Sequence, residues 1–197
     1  MEIYSGKLFS PMLTTINKNV ISEDDIKLIM NRWDRTDDKH PDSLGRLVWD
    51  FHHHENEKDR EYIMGKIDPY LPKTEVFNYV MYGHIAEHQK GAFLPYNVDL
   101  FPECTGVVII FFCDSVSGGR LLVNDTIVSP SMGTVVTIEE PDAQQYQIET
   151  VYENSKTTLH YAIIHFTDQE PQVIEEPEDN SENFKTAQVN IGDEDAD

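Results

Sequence analysis

Gly91-Ala92-Phe93-Leu94-Pro95-Tyr96-Asn97-Val98-Asp99 opens the stretch that decides the fold. It leads into Val107-Val108-Ile109-Ile110-Phe111-Phe112, then Gly118-Gly119-Arg120-Leu121, Ser129-Pro130-Ser131-Met132-Gly133, Tyr146-Gln147-Ile148-Glu149-Thr150-Val151 and Lys156-Thr157-Thr158-Leu159, and it closes at Phe166. Short apolar runs broken by Gly, Pro and Ser are the pattern of strands joined by tight turns. The spacing predicts strands over 107–113, 120–123, 126–129, 134–138, 146–152 and 157–166. A further strand is expected from Thr74, where Val76, Asn78, Val80 and Tyr82 alternate with Phe77, Tyr79 and Met81.

Upstream of Thr74 the period is helical. Ser22-Glu23-Asp24-Asp25 supplies a capping hydroxyl followed by acids that suit the positive end of a helix dipole, and Ile26, Ile29, Met30 and Trp33 recur on one face. A second helix is expected from about Glu55 to Tyr70, with Tyr62, Ile63 and Ile67 inward and Leu71-Pro72 as its stop. Residues 1–17 read as an edge strand or extended arm, Asp34 to Ser43 as a loop, and Trp33 and Trp49 as core. Two helices followed by many short strands give an α+β domain built on a β-sandwich or jelly roll. The expected organisation is an N-terminal arm with supporting helices over 1–73, a β core over 74–167 and an acidic tail over 168–197.

The 197 residues carry 36 Asp and Glu against 15 Lys and Arg, a formal net charge of -21. Such a surface repels phosphate backbones and anionic lipid, so nucleic acid and membrane are excluded as partners. The tail alone holds 11 acids against Lys185. With Pro171 and Pro177 among them it is expected to be disordered in isolation, although Val173, Ile174, Phe184, Val189 and Ile191 could anchor it on a neighbouring subunit. Cys104 and Cys113 are too few for a disulfide framework, the N-terminus lacks the layout of a signal peptide, and the apolar run 107–113 is too short to span a bilayer. The expectation is a protein that is soluble and cytoplasmic when made.

The ordered pieces from Gly91 to Phe166 resemble the double-stranded β-helix (jelly-roll or cupin-like) of the 2-oxoglutarate/Fe(II)-dependent dioxygenases, most closely the prolyl 4-hydroxylase-like branch, whose N-terminal helices buttress one sheet. The resemblance implies a His-x-Asp pair and a distant second His as iron ligands, and a basic residue ten positions after that His for the 2-oxoglutarate carboxylate. Here Asn97 and Asp99 stand at the His-x-Asp positions, Tyr146 at the distal His, and Lys156 ten residues further on. An amide oxygen is a weak ligand and a neutral phenol is not a useful one. The iron site therefore reads as vestigial.

Other histidines offer no evident replacement. His84 and His88 lie in the strand or loop leading to the site, while His160 and His165, five apart on the last strand, should face opposite sides. His52-His53-His54 reads as a solvated helix entry. No phosphate loop, Gly-x-Ser-x-Gly elbow, Cys-x-x-Cys pair or His-Glu-x-x-His motif is present.

No catalytic residue and no metal ligand is assigned, and no cofactor is expected. The preferred reading is a non-catalytic structural or protein-binding module on a degenerate dioxygenase fold, in a homo-oligomer or larger assembly. The composition is similar to that of tailed-bacteriophage proteins, which makes a neck, tail or capsid-associated virion subunit one expectation. One alternative is an active hydroxylase using Fe(II) and 2-oxoglutarate; another is a binder of a small acidic ligand held by Lys156.

Overall fold

The computed structural model of the chain describes residues 14–52, 57–95, 103–114, 117–139, 145–155 and 157–170. Ser22 Oγ accepts the Asp25 amide at 3.1 Å and caps α1, Glu23–Arg35. Acids fill the first turn and Arg32 and Arg35 the last, so both ends match the helix dipole. Ile26, Ile29 and Trp33 are buried from its inner face. α2, Glu57–Ile67, buries Ile63 and Ile67 and runs into a 3-10 turn over Asp68–Tyr70, which Pro69 suits because it donates no amide.

The strands are β1 (Thr14–Asn17), β2 (His40–Pro41), β3 (Arg46–Trp49), β4 (Tyr79–His88), β5 (Gly106–Phe111), β6 (Leu121–Val123), β7 (Thr126–Val128), β8 (Val135–Glu139), β9 (Tyr146–Ile148) and β10 (Leu159–Thr167). Among the described residues, seven form one antiparallel sheet in the order β1-β8-β5-β10-β4-β3-β2, and three form a second in the order β7-β6-β9. Leu94 extends the smaller sheet by pairing antiparallel with Ile148 through mutual backbone bonds of 3.0 and 3.1 Å. Counting Leu94 as a strand between β4 and β5, the chain from β4 to β10 passes from one sheet to the other at every step except the β6–β7 hairpin, which stays in the smaller sheet. This is the double-stranded β-helix, with α1 and α2 buttressing its larger sheet.

Each face of the large sheet has its own core. Toward the helices, Val108, Ile110, Ala162, Ile164 and Phe166 pack with Ile26, Ile29, Trp33, Ile63 and Ile67. Toward the small sheet, Val107, Ile109, Phe111, Tyr161 and Ile163 pack with Leu94, Leu121, Val123, Tyr146 and Ile148. The alternation along β5 and β10 thus divides one apolar run between two layers.

Three sequence expectations change. The strand expected from Thr74 starts at Tyr79, because Glu75–Phe77 is a 3-10 turn that drives Phe77 into the helix-side core, with its ring 5.4 Å from that of Phe166. A Cβ on Gly106 would collide with the Phe77 ring at 2.6 Å, so a glycine stands opposite the turn. The loop expected over Asp34 to Ser43 contains β2, and β3 follows it unforeseen. The residues 1–17 reading holds where the structure describes it, since β1 is an edge strand paired with β8.

The turn chemistry is as the glycines imply. Gly118 has φ +82° and pairs with Val151, and a Cβ there would strike the Thr150 carbonyl oxygen. Gly133 (φ +75°) closes the turn between β7 and β8.

Candidate functional site

The β2–β3 turn builds one end of the space between the sheets. Asp42 Oδ1 accepts the amides of Leu44 and Arg46 at 2.9 and 2.8 Å, and Gly45 takes the left-handed conformation (φ +77°) that the tight loop needs. Arg46 is thereby turned inward from β3, with only 4% of its surface exposed. Its Nε donates to Asp42 Oδ2 at 2.6 Å and its Nη1 to the Tyr161 hydroxyl at 3.2 Å. The same hydroxyl lies 3.2 Å from His88 Nδ1. Asp42, Arg46, Tyr161 and His88 so form a chain spanning three neighbouring strands.

Charge is balanced along it. Burial raises the Asp42 pKa, but the Arg46 amide, its guanidinium and the Leu44 amide outweigh that and hold the carboxyl below its ordinary range. Burial pushes His88 down to about 4, assisted by the Arg46 charge and opposed by the Ala92 carbonyl. His88 is therefore neutral near pH 7. The arrangement that satisfies the chain has the Tyr161 oxygen accept from Arg46 while its proton is donated to His88 Nδ1.

At the other end of the same two strands lies a second polar group. In the β4–β10 register His84 faces Ile163 and Tyr82 faces His165, and His165 faces Val107 on β5. Ile163 and Val107 belong to the core between the sheets, so both imidazoles point into it, 2% and 0% exposed. The Tyr82 ring lies beside both, at 5.5 Å from His84 and 6.2 Å from His165, and its hydroxyl is hydrogen-bonded to Asp50. A cavity of about 560 Å³ at these strand ends is lined by Met81, Thr167, His52, Glu103 and Glu170 among others.

Of the residues singled out in the sequence, Tyr146 starts β9 and is wholly buried between the sheets. The antiparallel Leu94–Ile148 pairing puts Pro95 on the Tyr146 side of the bridge. Asn97, Asp99 and Lys156 lie outside the described residues, as do His53 and His54. His160 packs edge-on against Trp33 at 5.8 Å and meets Glu87 at 3.3 Å on the helix side, so it and His165 do face opposite ways. Among the described residues no three His, Cys, Asp or Glu side chains are grouped to hold a metal ion. Sequence reasoning missed Asp42, Arg46 and Tyr161 altogether, and it compared His165 with His160 when its partner across the strands is Tyr82, with His84 diagonal to it. Burial pushes the Cys113 thiol up to about 11, which removes it as a nucleophile.

No family profile and no curated protein sequence matches the chain. Solved structures do. A Pseudomonas putida prolyl-4-hydroxylase superposes with a TM-score of 0.58 at 13% identity, covering 81% of this chain and 95% of that one. An oxidoreductase of the 2OG-Fe(II) oxygenase family from Burkholderia pseudomallei gives 0.61 at 14% identity, over 80% and 86%. HygX from Streptomyces hygroscopicus, with nickel and 2-oxoglutarate bound, gives 0.55 at 10% identity, over 79% and 83%.

These neighbours overturn the expectation of no cofactor, because the proteins that share the scaffold are Fe(II) and 2-oxoglutarate oxygenases, one of them solved with a metal and the 2-oxo acid in place. Tyr146, which the sequence resemblance sets at the distal-His position, is a phenol buried in an apolar cluster, and a neutral phenol does not replace an imidazole ligand. The chain has the fold of the prolyl 4-hydroxylase-like 2-oxoglutarate/Fe(II) oxygenases, a double-stranded β-helix.

Proposed function

We propose that the chain is a binding module on the oxygenase fold, acting through contacts with protein subunits in a homo-oligomer or larger assembly, and not a hydroxylase. The observation that supports this is Tyr146. The sequence resemblance sets it at the distal-His position, and its side chain is 0% exposed and packed in the core between the sheets. A phenol there contributes to cohesion of the two sheets and offers iron no neutral nitrogen. Retention of the β-helix with this change is what selection for a shell, rather than for oxygen activation, would leave. A virion subunit is one such assembly role.

The part of the chain suited to contact a partner is residues 168–197, where apolar Val173, Ile174, Phe184, Val189 and Ile191 are spaced among acids. Apolar side chains would supply affinity and the acids would select a basic partner surface. Sedimentation velocity of the full chain against a chain ending at Thr167 tests it. The expected result is loss of assembly on truncation and weakening of assembly by salt in the full chain, with unchanged thermal unfolding of the β core. Assembly indifferent to both the truncation and salt would remove the proposal.

A further inference from the structure

We infer that the outer face of the smaller sheet is where two copies of this chain pack together, with Ile127 of one copy seated in the groove that Phe93 and Tyr152 line on the other. The inference deepens the homo-oligomer reading above and rests on it, since it names the surface on which copies held by their tails meet.

The two sheets differ in what covers them. The outer face of the larger sheet is buried under α1 and α2. The smaller sheet has no such layer among the described residues. Leu121, Val123, Val128, Tyr146 and Ile148 point into the space between the sheets, so strand alternation turns Leu122, Ile127 and Gln147 outward. Leu122 lies opposite both Ile127 on β7 and Gln147 on β9, which makes the three one row across the face. Large apolar side chains exposed among the described residues are Leu28 on α1 and three others, all on this side of the molecule: Ile127 at 57%, Phe93 at 52% and Tyr152 at 50%. Phe93 and Tyr152 line a groove of about 300 Å³ together with residues 147–150.

Charge selects the occupant. Each chain carries a formal net charge of -21, so two copies repel wherever acids face acids. β6, β7 and β9 contain no charged residue. At their margin Arg120 and Glu149 neutralise each other, Arg120 Nε and Nη2 donating to the carboxylate at 2.5 and 2.7 Å. A basic partner would gain nothing on this face, whereas a second acidic copy meets no repulsion there.

The face also carries both halves of a symmetric contact. Ile127 projects from β7, and the groove lies along β9, two strands and about 10 Å away. A two-fold axis near Leu122, on the strand between them, therefore seats each Ile127 in the groove of the other copy, the reciprocity an isologous interface requires. So few exposed apolar side chains fall short of a standard interface of about 800 Å² per partner. The face thus sets how the copies pack while the tail contact holds them at high effective concentration.

NMR spectra of the full chain over a dilution series locate the contact without any variant. Amide signals of Phe93, Thr126 to Val128 and Gln147 to Tyr152 should shift on dilution. By sedimentation velocity, Ile127→Glu and Phe93→Glu should each weaken association of the full chain by at least about tenfold, since a central apolar anchor is lost and a carboxylate takes its place in the interface. Dilution shifts absent from these residues, or association unchanged in both variants, would overturn the face and leave tail-driven assembly standing. A native chain that stays monomeric at every concentration would end both readings. Shifts at the face that follow removal of residues 168–197 and not dilution would make the chain's own tail the occupant and overturn the pairing of copies.

Discussion

The two ends of the space between the sheets use the same strands, β4 and β10, and bury polar side chains in different ways. At one end Asp42, Arg46, Tyr161 and His88 close on one another, with a buried carboxylate and guanidinium in direct contact at 2.6 Å and a histidine kept neutral by burial. At the other, the buried rings of His84 and His165 lie 5.5 and 6.2 Å from that of Tyr82. A low-dielectric interior tolerates polar groups only when they are paired. The first end meets that condition through charge pairing within the chain and is a structural device. The second groups two buried imidazoles around the Tyr82 ring, whose hydroxyl is hydrogen-bonded to Asp50.

The sharpest way to break the contrast is to remove one charge from the closed end. Arg46→Leu leaves the buried Asp42 carboxylate without its cation, and should cost about 3–5 kcal/mol, as breaking a buried pair generally does. Urea unfolding reads this as a fall in midpoint at unchanged slope. His84→Gln should cost clearly less, because no buried charge is stranded; equal costs would erase the distinction.

Acid should act on the closed end next. His88 has its folded pKa depressed to about 4 by burial, below the ordinary 6.5. The unfolded chain therefore binds the extra proton first, and stability falls as pH drops from about 6.5 to about 4, by on the order of 3 kcal/mol, and is retained above that window. His52, also depressed by burial and by Arg60, adds a change of the same sign. The Asp42 contribution runs lower: its pKa is depressed below 3.8, so the stability it confers is present above that value and is lost only as pH falls beneath it. Comparing unfolding at pH 7 and pH 5 in the native chain and in His88→Gln isolates the histidine, and the variant should show the smaller loss.

Removing only the hydroxyl that joins the chain should have a smaller effect. Tyr161→Phe leaves Arg46 Nη1 and His88 Nδ1 without that partner and should cost about 1–3 kcal/mol. Smaller still is Ser22→Ala, remote from both ends, which removes the α1 cap at about 1 kcal/mol and should leave the pH response intact.

Much of this was legible in the sequence. Period-2 runs, turn glycines and the Ser22 cap set out the helices and most strands, because those signals act within a few residues. β3 was not legible: Arg46-Leu47-Val48-Trp49 is too short for a period to emerge, and its identity as a strand is fixed by pairing with β4, some forty positions away. The Asp42–Arg46–Tyr161 chain was hidden for the same reason. The diagonal placement of His84 and His165 depends on the β4–β10 register, which no local pattern specifies, and the irregularity between His165 and Phe166 shifts that register once more. Tyr146 was found, since its neighbours in sequence carry the resemblance.

The proposed function holds that this fold is kept for binding and not for oxygen activation. Its most direct test is succinate formation by the purified full chain supplied with Fe(II), 2-oxoglutarate and oxygen. The expected result is no succinate above the protein-free background, with or without added peptide substrate. Catalytic release of succinate, abolished by Asp99→Ala, would contradict the claim and make the protein a hydroxylase.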